Sequence, residues 1–138
     1  MYASASRDVS AVKHASSRLS TGDTATFTIA VSNSSVPLKV TLVWTDPPAS
    51  PAASKQLVND LDLEVVNPAG TTTYLGNAYI TGTTQKDTVN NVENVIVSSP
   101  AIGSWTVRVK GTAVPVSAPQ DYAVVATYAG TCPMYSLL

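Results

Sequence analysis

Residues 56–70 read QLVNDLDLEVVNPAG, a stretch that combines the pattern of a β-strand with that of a turn. Apolar residues alternate there with the carboxylates Asp60, Asp62 and Glu64, and a period of two is typical of a strand with one core-facing side. Residues 67–70, Asn-Pro-Ala-Gly, predict a tight turn. The stretch therefore predicts one arm of a β-hairpin, with three carboxylates opposite its core-facing side.

The same period of two recurs along most of the chain, in short segments separated by turn sequences. The segments are ATFTIAV (25–31), LKVTLVW (38–44), TTTYLG (71–76), VENVIVS (92–98), SWTVRVKG (104–111) and DYAVVATYA (121–129). No helical pattern competes with them, and residues 47–54 and 81–91 are predicted to be loops. We predict an all-β fold, an antiparallel β-sandwich or jelly roll of about seven strands.

Composition limits the classes of function. The chain has 138 residues, of which 44% are hydrophobic and 12% charged, with a formal net charge of −1. This charge provides no basic surface for nucleic acid or anionic lipid. No apolar run reaches the roughly 20 residues that a membrane-spanning helix needs, and MYASASRDVS lacks the pattern of a signal peptide. Neither nucleic acid nor a membrane is an expected partner.

Three segments are predicted along the chain. Residues 1–18 are small and polar without a sustained period, so we interpret them as a linker or flexible N-terminal segment. Residues 19–130 form the predicted β-sandwich domain, and residues 131–138 form a C-terminal tail. The single cysteine, Cys132, lies in that tail and has no internal partner for a disulfide. We expect a monomer in isolation.

Catalysis by this chain alone is not expected. A Ser-His-Asp arrangement needs a histidine held beside the nucleophile, and the single histidine, His14, lies in the predicted linker. No GxSxG stretch occurs, and one cysteine with one histidine cannot build a typical zinc site. Asp60 or Asp62 with Glu93 could form a glycosidase-like pair, but the sequence contains no recognisable sugar-binding cleft.

Oxygen ligands for calcium are better supplied. Calcium takes about six to eight oxygens from carboxylates, amide side chains, backbone carbonyls and water. Asp60 and Asp62 offer two carboxylates on one side of a strand, and residues 90–94, NNVEN, form a second oxygen-rich stretch. Asp46 ends the strand that carries Trp44, and the long loop after it could bring Asp46 near Asp60.

Less specific explanations account for the same pattern. Alternating carboxylates on a strand are most often a solvated face, and residues 90–94 could instead form a turn in which asparagine side chains bond to their own backbone. Trp44 and Trp105 are more simply core residues than ligand platforms. The pattern alone does not separate a solvated face from a metal site.

Three landmarks give the chain a resemblance to a known family. They are LVWTDPP (42–48), LVNDLDL (57–63) and NNVEN (90–94). With the strands around them, over residues 19–129 and in the same order, they resemble the C-terminal β-sandwich of secreted subtilisin-like serine proteases, and more distantly the P domain of kexin-type proteases. The signatures of the catalytic domain, Gly-Thr-Ser-Met around a nucleophile and an HGT stretch, are absent.

The resemblance implies a non-catalytic accessory module of a secreted, extracellular protease. In that family the jelly roll packs on the catalytic domain, binds calcium and supports stability. Carried over position by position, the resemblance implies these calcium ligands: Asp60, Asp62, Asn91 and Glu93. Asp46 matches a landmark of the family as either a ligand or a turn cap. Glu64, nearer the turn, is predicted to be a solvated charge.

The sequence leaves two other roles open. A module that binds a substrate or surface, such as insoluble protein or polysaccharide, would use exposed aromatic residues, for which the candidates are Tyr74, Tyr79, Tyr122 and Tyr128. A folding or inhibitory role on the parent protease is the third. The expected partner is the catalytic domain of the parent protease, with a protein substrate as a further partner in the second case.

Overall fold

The computed structural model describes residues 9–130, which form two antiparallel β-sheets packed as a sandwich. The elements are β1 (Val9–Leu19), β2 (Thr24–Val31), β3 (Leu38–Val43), β4 (Asp60–Val66), β5 (Thr73–Leu75), α1 (Ala78–Thr81), β6 (Val92–Val97), β7 (Gly103–Ala113) and β8 (Gln120–Gly130). Sheet A has the strand order β1-β8-β3-β6, and sheet B has the order β2-β7-β4-β5. This order is that of an eight-stranded jelly roll, so the predicted fold class is confirmed.

The apolar side of each strand faces the space between the sheets, as the period of two predicts. On β3, Leu42 is fully buried while its neighbour Val43 is 41% exposed. Trp44 and Trp105 are both buried, which confirms that they are core residues. The rest of the core includes Ile29, Val31, Leu38, Val40, Leu61, Leu63, Val65, Val95, Val107, Val109, Val124 and Ala126.

The predicted hairpin is formed by β4 and β5, which pair antiparallel. Asn67 organises its turn: the Asn67 carbonyl accepts a hydrogen bond from Gly70 N–H (3.0 Å), and the Asn67 Oδ1 accepts from the N–H groups of Thr71 (2.9 Å) and Thr72 (3.0 Å). Gly70 adopts a φ of 72°, a left-handed conformation that glycine reaches without steric cost. The turn residues therefore set the register of the hairpin.

The N-terminal segment differs from the prediction of a linker over residues 1–18. Residues 9–18 belong to β1, which pairs antiparallel with β8 along its whole length. Backbone hydrogen bonds pair such a strand with its neighbour whatever its side-chain pattern. Because residues 1–18 are small and polar and lack an apolar period, their sequence did not indicate a strand. Residues 1–8 and 131–138 lie outside the described part of the chain, and so do the predictions made for them.

The two predicted loops are present, with one addition. Residues 47–54 contain no helix or strand, as expected, and α1 ends at Thr81, the first residue of the loop predicted over residues 81–91. The helix is a single turn because Asn77 and Gly82, at its two ends, have positive φ values of 60° and 64° and so cannot extend it. Within residues 9–130, no helix is long and apolar enough to span a bilayer.

The facing of β3 predicts different costs for truncating two neighbouring residues. We expect Leu42→Ala to lower the free energy of unfolding by about 2–5 kcal/mol, because it removes methyl groups from a fully buried site and leaves a cavity. Val43→Ala, on the exposed side of the same strand, should cost less than about 1 kcal/mol. Urea denaturation of both variants measures the difference, and equal losses would contradict the assigned facing.

Candidate functional site at the buried carboxylates of β4

Every residue of β4 is buried, including the carboxylates that alternate with its core-facing residues. Asp60, Asp62 and Glu64 are 6%, 2% and 6% exposed. The interpretation of this side as a solvated face is therefore wrong, and Glu64 is not the solvated charge that was predicted. Alternation identifies which residues share one side of a strand, but it does not tell whether another part of the chain covers that side.

Within the described part of the chain, three basic side chains surround Glu64. Lys110 Nζ lies 2.8 Å from Glu64 Oε1 and Arg108 Nη1 lies 3.8 Å from Glu64 Oε2, both from the neighbouring strand β7. Lys86 Nζ, from the loop after α1, lies 3.5 Å from Glu64 Oε1. Burial alone would raise the pKa of Glu64, but the hydrogen bond and charge of Lys110, followed by those of Lys86, lower it. Glu64 is thus an ionised, paired carboxylate.

Asp62 has one cation and one hydroxyl at the same oxygen. Its Oδ2 accepts hydrogen bonds from Lys86 Nζ at 3.1 Å and from Thr112 Oγ1. The pairing of β4 with β7 shifts register between Asp60 and Leu61, and this β-bulge leaves Thr112 without a partner of its own on β4. The irregularity therefore coincides with the point at which β7 presents a hydroxyl to the carboxylate.

Asp60 is the carboxylate with the least compensation. No described residue provides a hydrogen bond to its Oδ1, which is fully buried. Burial, followed by the negative charges of Asp62 and Asp87, raises the pKa of Asp60 to about 6, although Lys55 and Lys86 act in the opposite direction. A buried polar atom without a partner costs about 1–3 kcal/mol, and more when it is charged, so a proton or cation beside Asp60 would be stabilising.

Glu93 connects the two sheets. It belongs to β6 of sheet A, yet its Oε2 accepts a hydrogen bond from Leu63 N–H of β4 at 2.8 Å. The contact lies just beyond β5, where Gly76 N–H donates to the Leu63 carbonyl (3.0 Å). Glu93 is 1% exposed, its Oε1 has no hydrogen-bond partner in the described chain, and burial, followed by nearby aspartates of which Asp62 acts most strongly, raises its pKa to about 8. The carboxyl is therefore mainly protonated at neutral pH.

Asn77 ties the segment after β5 to the edge of β6. Its N–H donates to the Asn94 carbonyl (2.8 Å), its Oδ1 accepts from Asn94 N–H (2.9 Å), and its Nδ2 donates to the Val92 carbonyl (2.9 Å). Asparagine tolerates the left-handed backbone conformation that this position requires. The segment after β5 thereby leaves sheet B and crosses to sheet A.

Asp87 fixes the loop that carries Lys86. Its Oδ2 accepts from Asn77 Nδ2 (2.6 Å) and Asn90 Nδ2 (2.7 Å), and its Oδ1 accepts from the N–H groups of Val89 (2.7 Å) and Asn90 (2.9 Å). Burial alone would raise the pKa of Asp87, but these hydrogen bonds lower it. Because Lys86 is the preceding residue, the anchored loop holds it over the carboxylates of β4.

The three sequence landmarks meet at the end of the sandwich where β3 ends and β4 and β6 begin. Asp46 Oδ2 and Oδ1 accept from the N–H groups of Val58 and Asn59, each at 2.7 Å. Trp44 Nε1 donates to the Asn59 carbonyl (3.0 Å), and Asn91 Nδ2 donates to the Trp44 carbonyl (2.8 Å). Asp46 is thus a cap for the chain entering β4, one of its two predicted roles. Calcium coordination by Asp46 and Asn91 stays a prediction.

Of the predicted ligands, the structure brings Asp60, Asp62 and Glu93 close enough for their charges to act on one another. Across residues 9–130, no group of three or more histidine, cysteine, aspartate or glutamate side chains is arranged to hold one metal ion. Calcium also accepts carbonyl, amide and water oxygens, so two neighbouring carboxylates still fit its chemistry. The buried Asp60 Oδ1 is the observation that favours a cation at this place.

Sequence reasoning missed the basic half of this cluster. Arg108 and Lys110 alternate on β7 with the same period as the carboxylates on β4, and opposite charges with matching periods were a usable signal of cross-strand pairing. Lys86 and Asp87 lie in an irregular loop, for which the sequence contains no periodic signal.

The aromatic residues considered for substrate binding are mostly buried. Tyr122 and Tyr128 are 6% and 8% exposed, and Tyr74 packs against Trp105 with ring centroids 5.8 Å apart. Tyr79 is the exposed member of the four, and it borders a groove of about 350 Å³ beside β5 and β6. The alternative of a surface-binding module therefore has one exposed aromatic residue among its four candidates.

Comparison with known proteins finds relatives whose names include a serine protease. The chain is 34% identical over 127 residues to the serine protease/ABC transporter B family protein tagA of Dictyostelium discoideum, with 88% of the chain and 7% of tagA aligned. It is 36% identical over 91 residues to tagB and 35% identical over 99 residues to tagD of the same organism, each alignment covering 62% of the chain and 5% of the relative. No family model matches the chain.

The chain thus spans less than a tenth of the length of these relatives, since the aligned shares are 7%, 5% and 5%. The alignments support a relation to protease-associated proteins, which agrees with the coarser part of the predicted resemblance. The protease and transporter in the names belong to the relatives as whole proteins.

Two of these carboxylates have raised pKa values and two have lowered ones. We therefore predict that, with divalent cations chelated, the free energy of unfolding is greatest at weakly acidic pH. Glu93 and Asp60 have raised pKa values, so their contribution is fully present below the ordinary carboxyl pKa and is lost as the pH rises through about 6 for Asp60 and about 8 for Glu93. Glu64 and Asp87 have lowered pKa values, so their contribution is lost as the pH falls below the ordinary range. Urea denaturation across pH 4–9 should therefore give the largest free energy of unfolding at about pH 5.

Glu93→Gln isolates one of these groups, because glutamine keeps an acceptor for Leu63 N–H but does not ionise. The stability of this variant relative to the unsubstituted protein should rise from pH 5 to pH 8, with a limiting slope of about 1.4 kcal/mol per pH unit. Glu64→Gln is the matched control: because Glu64 is ionised at both pH values, its loss should destabilise by a similar amount at each. An unchanged difference between Glu93→Gln and the unsubstituted protein would contradict a buried, protonated Glu93.

Gly76 leaves the room that Glu93 occupies, so the two positions should be coupled. A Cβ at position 76 would lie 2.7 Å from Glu93 Cβ, closer than real contacts allow, and Glu93 is too tightly buried to withdraw. We expect Gly76→Ala to cost about 1–3 kcal/mol of unfolding free energy through overpacking. The double variant Gly76→Ala, Glu93→Gly should cost less than the sum of the two single variants, because glycine at position 93 also removes the Cβ that clashes; additive losses would contradict the contact.

Proposed function

We propose that this chain is a non-catalytic, calcium-binding β-sandwich module of an extracellular subtilisin-like serine protease, and that it stabilises the parent enzyme. Two independent observations support the proposal. The chain is similar to one segment of proteins named serine protease/ABC transporter B family proteins. It also carries a cluster of buried carboxylates, of which Asp60 has an oxygen without a hydrogen-bond partner among residues 9–130.

The carboxylates have the environment of a structural site rather than that of an acid–base pair. Asp62 and Glu64 each contact Lys86, and both are nearly inaccessible to a substrate. Glu93 receives a backbone N–H from the opposite sheet. Groups with these partners contribute to folding and to ion binding, whereas a catalytic pair has to face a reacting bond.

Asp60 and Asp62 are the ligands on which the calcium proposal depends. They follow one another on the same side of β4, and an ion bound between them would compensate the buried Asp60 and the repulsion between the two carboxylates. The donors are oxygens, which is the set that a hard cation such as calcium prefers. Extracellular modules typically bind calcium with dissociation constants of roughly 10⁻⁴–10⁻³ M, which suits the proposed location of the parent enzyme. Ligation by Glu93, Asn91 and Asp46 is a further part of the prediction.

Calcium would act by linkage. An ion that binds the folded domain and not the unfolded chain adds RT ln(1 + [L]/Kd) to the free energy of unfolding, about 2.7 kcal/mol at a hundredfold excess over Kd. A module stabilised in this way and packed on a catalytic domain would in turn oppose unfolding of that domain. The proposed partner is therefore the catalytic domain of the parent protease.

The proposal predicts that removing calcium lowers the melting temperature of the isolated chain. With calcium at a hundredfold excess over Kd, we expect a chelator to lower it by roughly 10 °C for a domain of this size. Asp60→Asn combined with Asp62→Asn should abolish the difference between calcium and chelator while keeping the size of both side chains. Differential scanning calorimetry with and without calcium measures the effect.

Asp23→Asn and Asp121→Asn provide matched controls, because both aspartates are exposed and lie outside the cluster. Each should retain the full response to calcium. Identical melting of the unsubstituted chain with calcium and with chelator would refute the calcium part of the proposal.

A further inference from the structure

We propose that Lys86 competes with calcium: its ammonium group contacts the Asp62 oxygen that the ion needs, and it moves into solvent when the ion binds. This inference rests on the proposed calcium site and adds the means by which its affinity is set. Lys86 is then the intramolecular counter-ion of the site.

Lys86 lies beside the proposed calcium ligands. Its Nζ lies 3.1 Å from Asp62 Oδ2 and 3.5 Å from Glu64 Oε1, so among residues 9–130 it is the cation paired with one of the two proposed ligands. Next to it, Asp60 is 6% exposed and its Oδ1 has no hydrogen-bond partner in the described chain. An ion that bridges Asp60 and Asp62 needs the oxygen that Lys86 contacts, and two positive charges at that distance repel each other.

Lys86 can leave at low cost, because its side chain is 39% exposed whereas that of Asp62 is only 3% exposed. An ammonium group is a compact, strongly hydrated charge on a flexible stem, so the departing group regains water. Glu64 does not lose its compensation, since Lys110 remains 2.8 Å from it. The ion therefore replaces Lys86 at Asp62 without leaving a buried carboxylate unpaired.

The backbone does not have to move for this exchange. Asp87, the next residue, is held by Asn77, Val89 and Asn90 through four hydrogen bonds of 2.6–2.9 Å. These contacts involve neither Lys86 nor the carboxylates of β4. The exchange is thus a rotation of one side chain on a fixed loop, with calcium affinity reduced by the free energy of the lysine contact that it breaks.

Lys86→Met tests the exchange, because methionine keeps an unbranched stem and removes the charge. Isothermal titration calorimetry with calcium chloride should give a dissociation constant on the order of tenfold lower for Lys86→Met than for the unsubstituted chain. Lys110→Met is the matched control: it removes the same charge from the same cluster at a lysine that lies opposite Asp62 on β7 but directs its Nζ to Glu64, with no ion pair to Asp62 among the described residues. It should change the dissociation constant much less than Lys86→Met does.

The outcomes separate this inference from the proposed function. If the unsubstituted chain binds calcium and Lys86→Met binds no more tightly than Lys110→Met, the competition is refuted and the calcium proposal stands. If only Lys86→Met binds, the competition is supported, and calcium stabilisation of the unsubstituted chain is refuted. If neither binds, both are refuted. Weaker binding by Lys86→Met refutes the competition, because it would make Lys86 a support of the site.

A second measurement avoids substitutions. Amine acetylation followed by mass spectrometry reports the accessibility of each lysine in the unsubstituted chain, and Lys39, on the exposed side of β3, is the internal reference. Saturating calcium should raise the rate at Lys86 severalfold while leaving Lys39 unchanged. An unchanged rate at Lys86 under conditions where calcium raises the melting temperature would refute the displacement.

Discussion

Negative charge buried on β4 is the constraint around which one side of this sandwich is organised. A carboxylate removed from water is tolerated only when a cation, a proton or several hydrogen bonds compensate it. The carboxylates of the cluster are compensated in different ways. Glu64 is paired with the basic residues of β7, and Asp62 is bound by Lys86 and a hydroxyl. Glu93 is compensated by a proton and a backbone N–H. Asp60 has the weakest compensation, which is why it is the place where a bound cation would contribute most.

The polar landmarks of the sequence act together as a frame for that strand. Asp46 caps the chain entering β4, Trp44 bonds to the same turn through its indole, and Asn91 links the ends of β3 and β6. These contacts fix where β4 begins and hence which residues reach the outer side of sheet B. Asp46 and Asn91 of these motifs bond to backbone groups, and the carboxylates of the cluster depend on these contacts for their positions.

The fold class could be predicted from the sequence because the alternation of apolar residues along a strand and the residue preferences of turns depend on neighbouring residues only. β3, β7 and the β4–β5 hairpin were predicted from these patterns, and the buried sides of β3 and β7 agree residue by residue. β1 was not predicted, since its pairing with β8 rests on backbone groups that side-chain patterns do not report. The site was predicted only in part: Asp60, Asp62 and Glu93 were identified, whereas Lys86, the cation that contacts Asp62, lies in a loop that is held by contacts of Asp87 distant in sequence.

The hydrogen bonds of Asn77 have a consequence for the association of these domains. β6 is an edge strand, and an exposed edge offers unpaired N–H and C=O groups to which a strand of another molecule can add. At Asn94 both backbone groups already bond to Asn77, and the Val92 carbonyl does so as well, so an incoming strand would have to break three hydrogen bonds to pair there. The centre of β6 is therefore protected against intermolecular sheet extension and aggregation, although Val92 and Ile96 on its outer side are apolar and exposed.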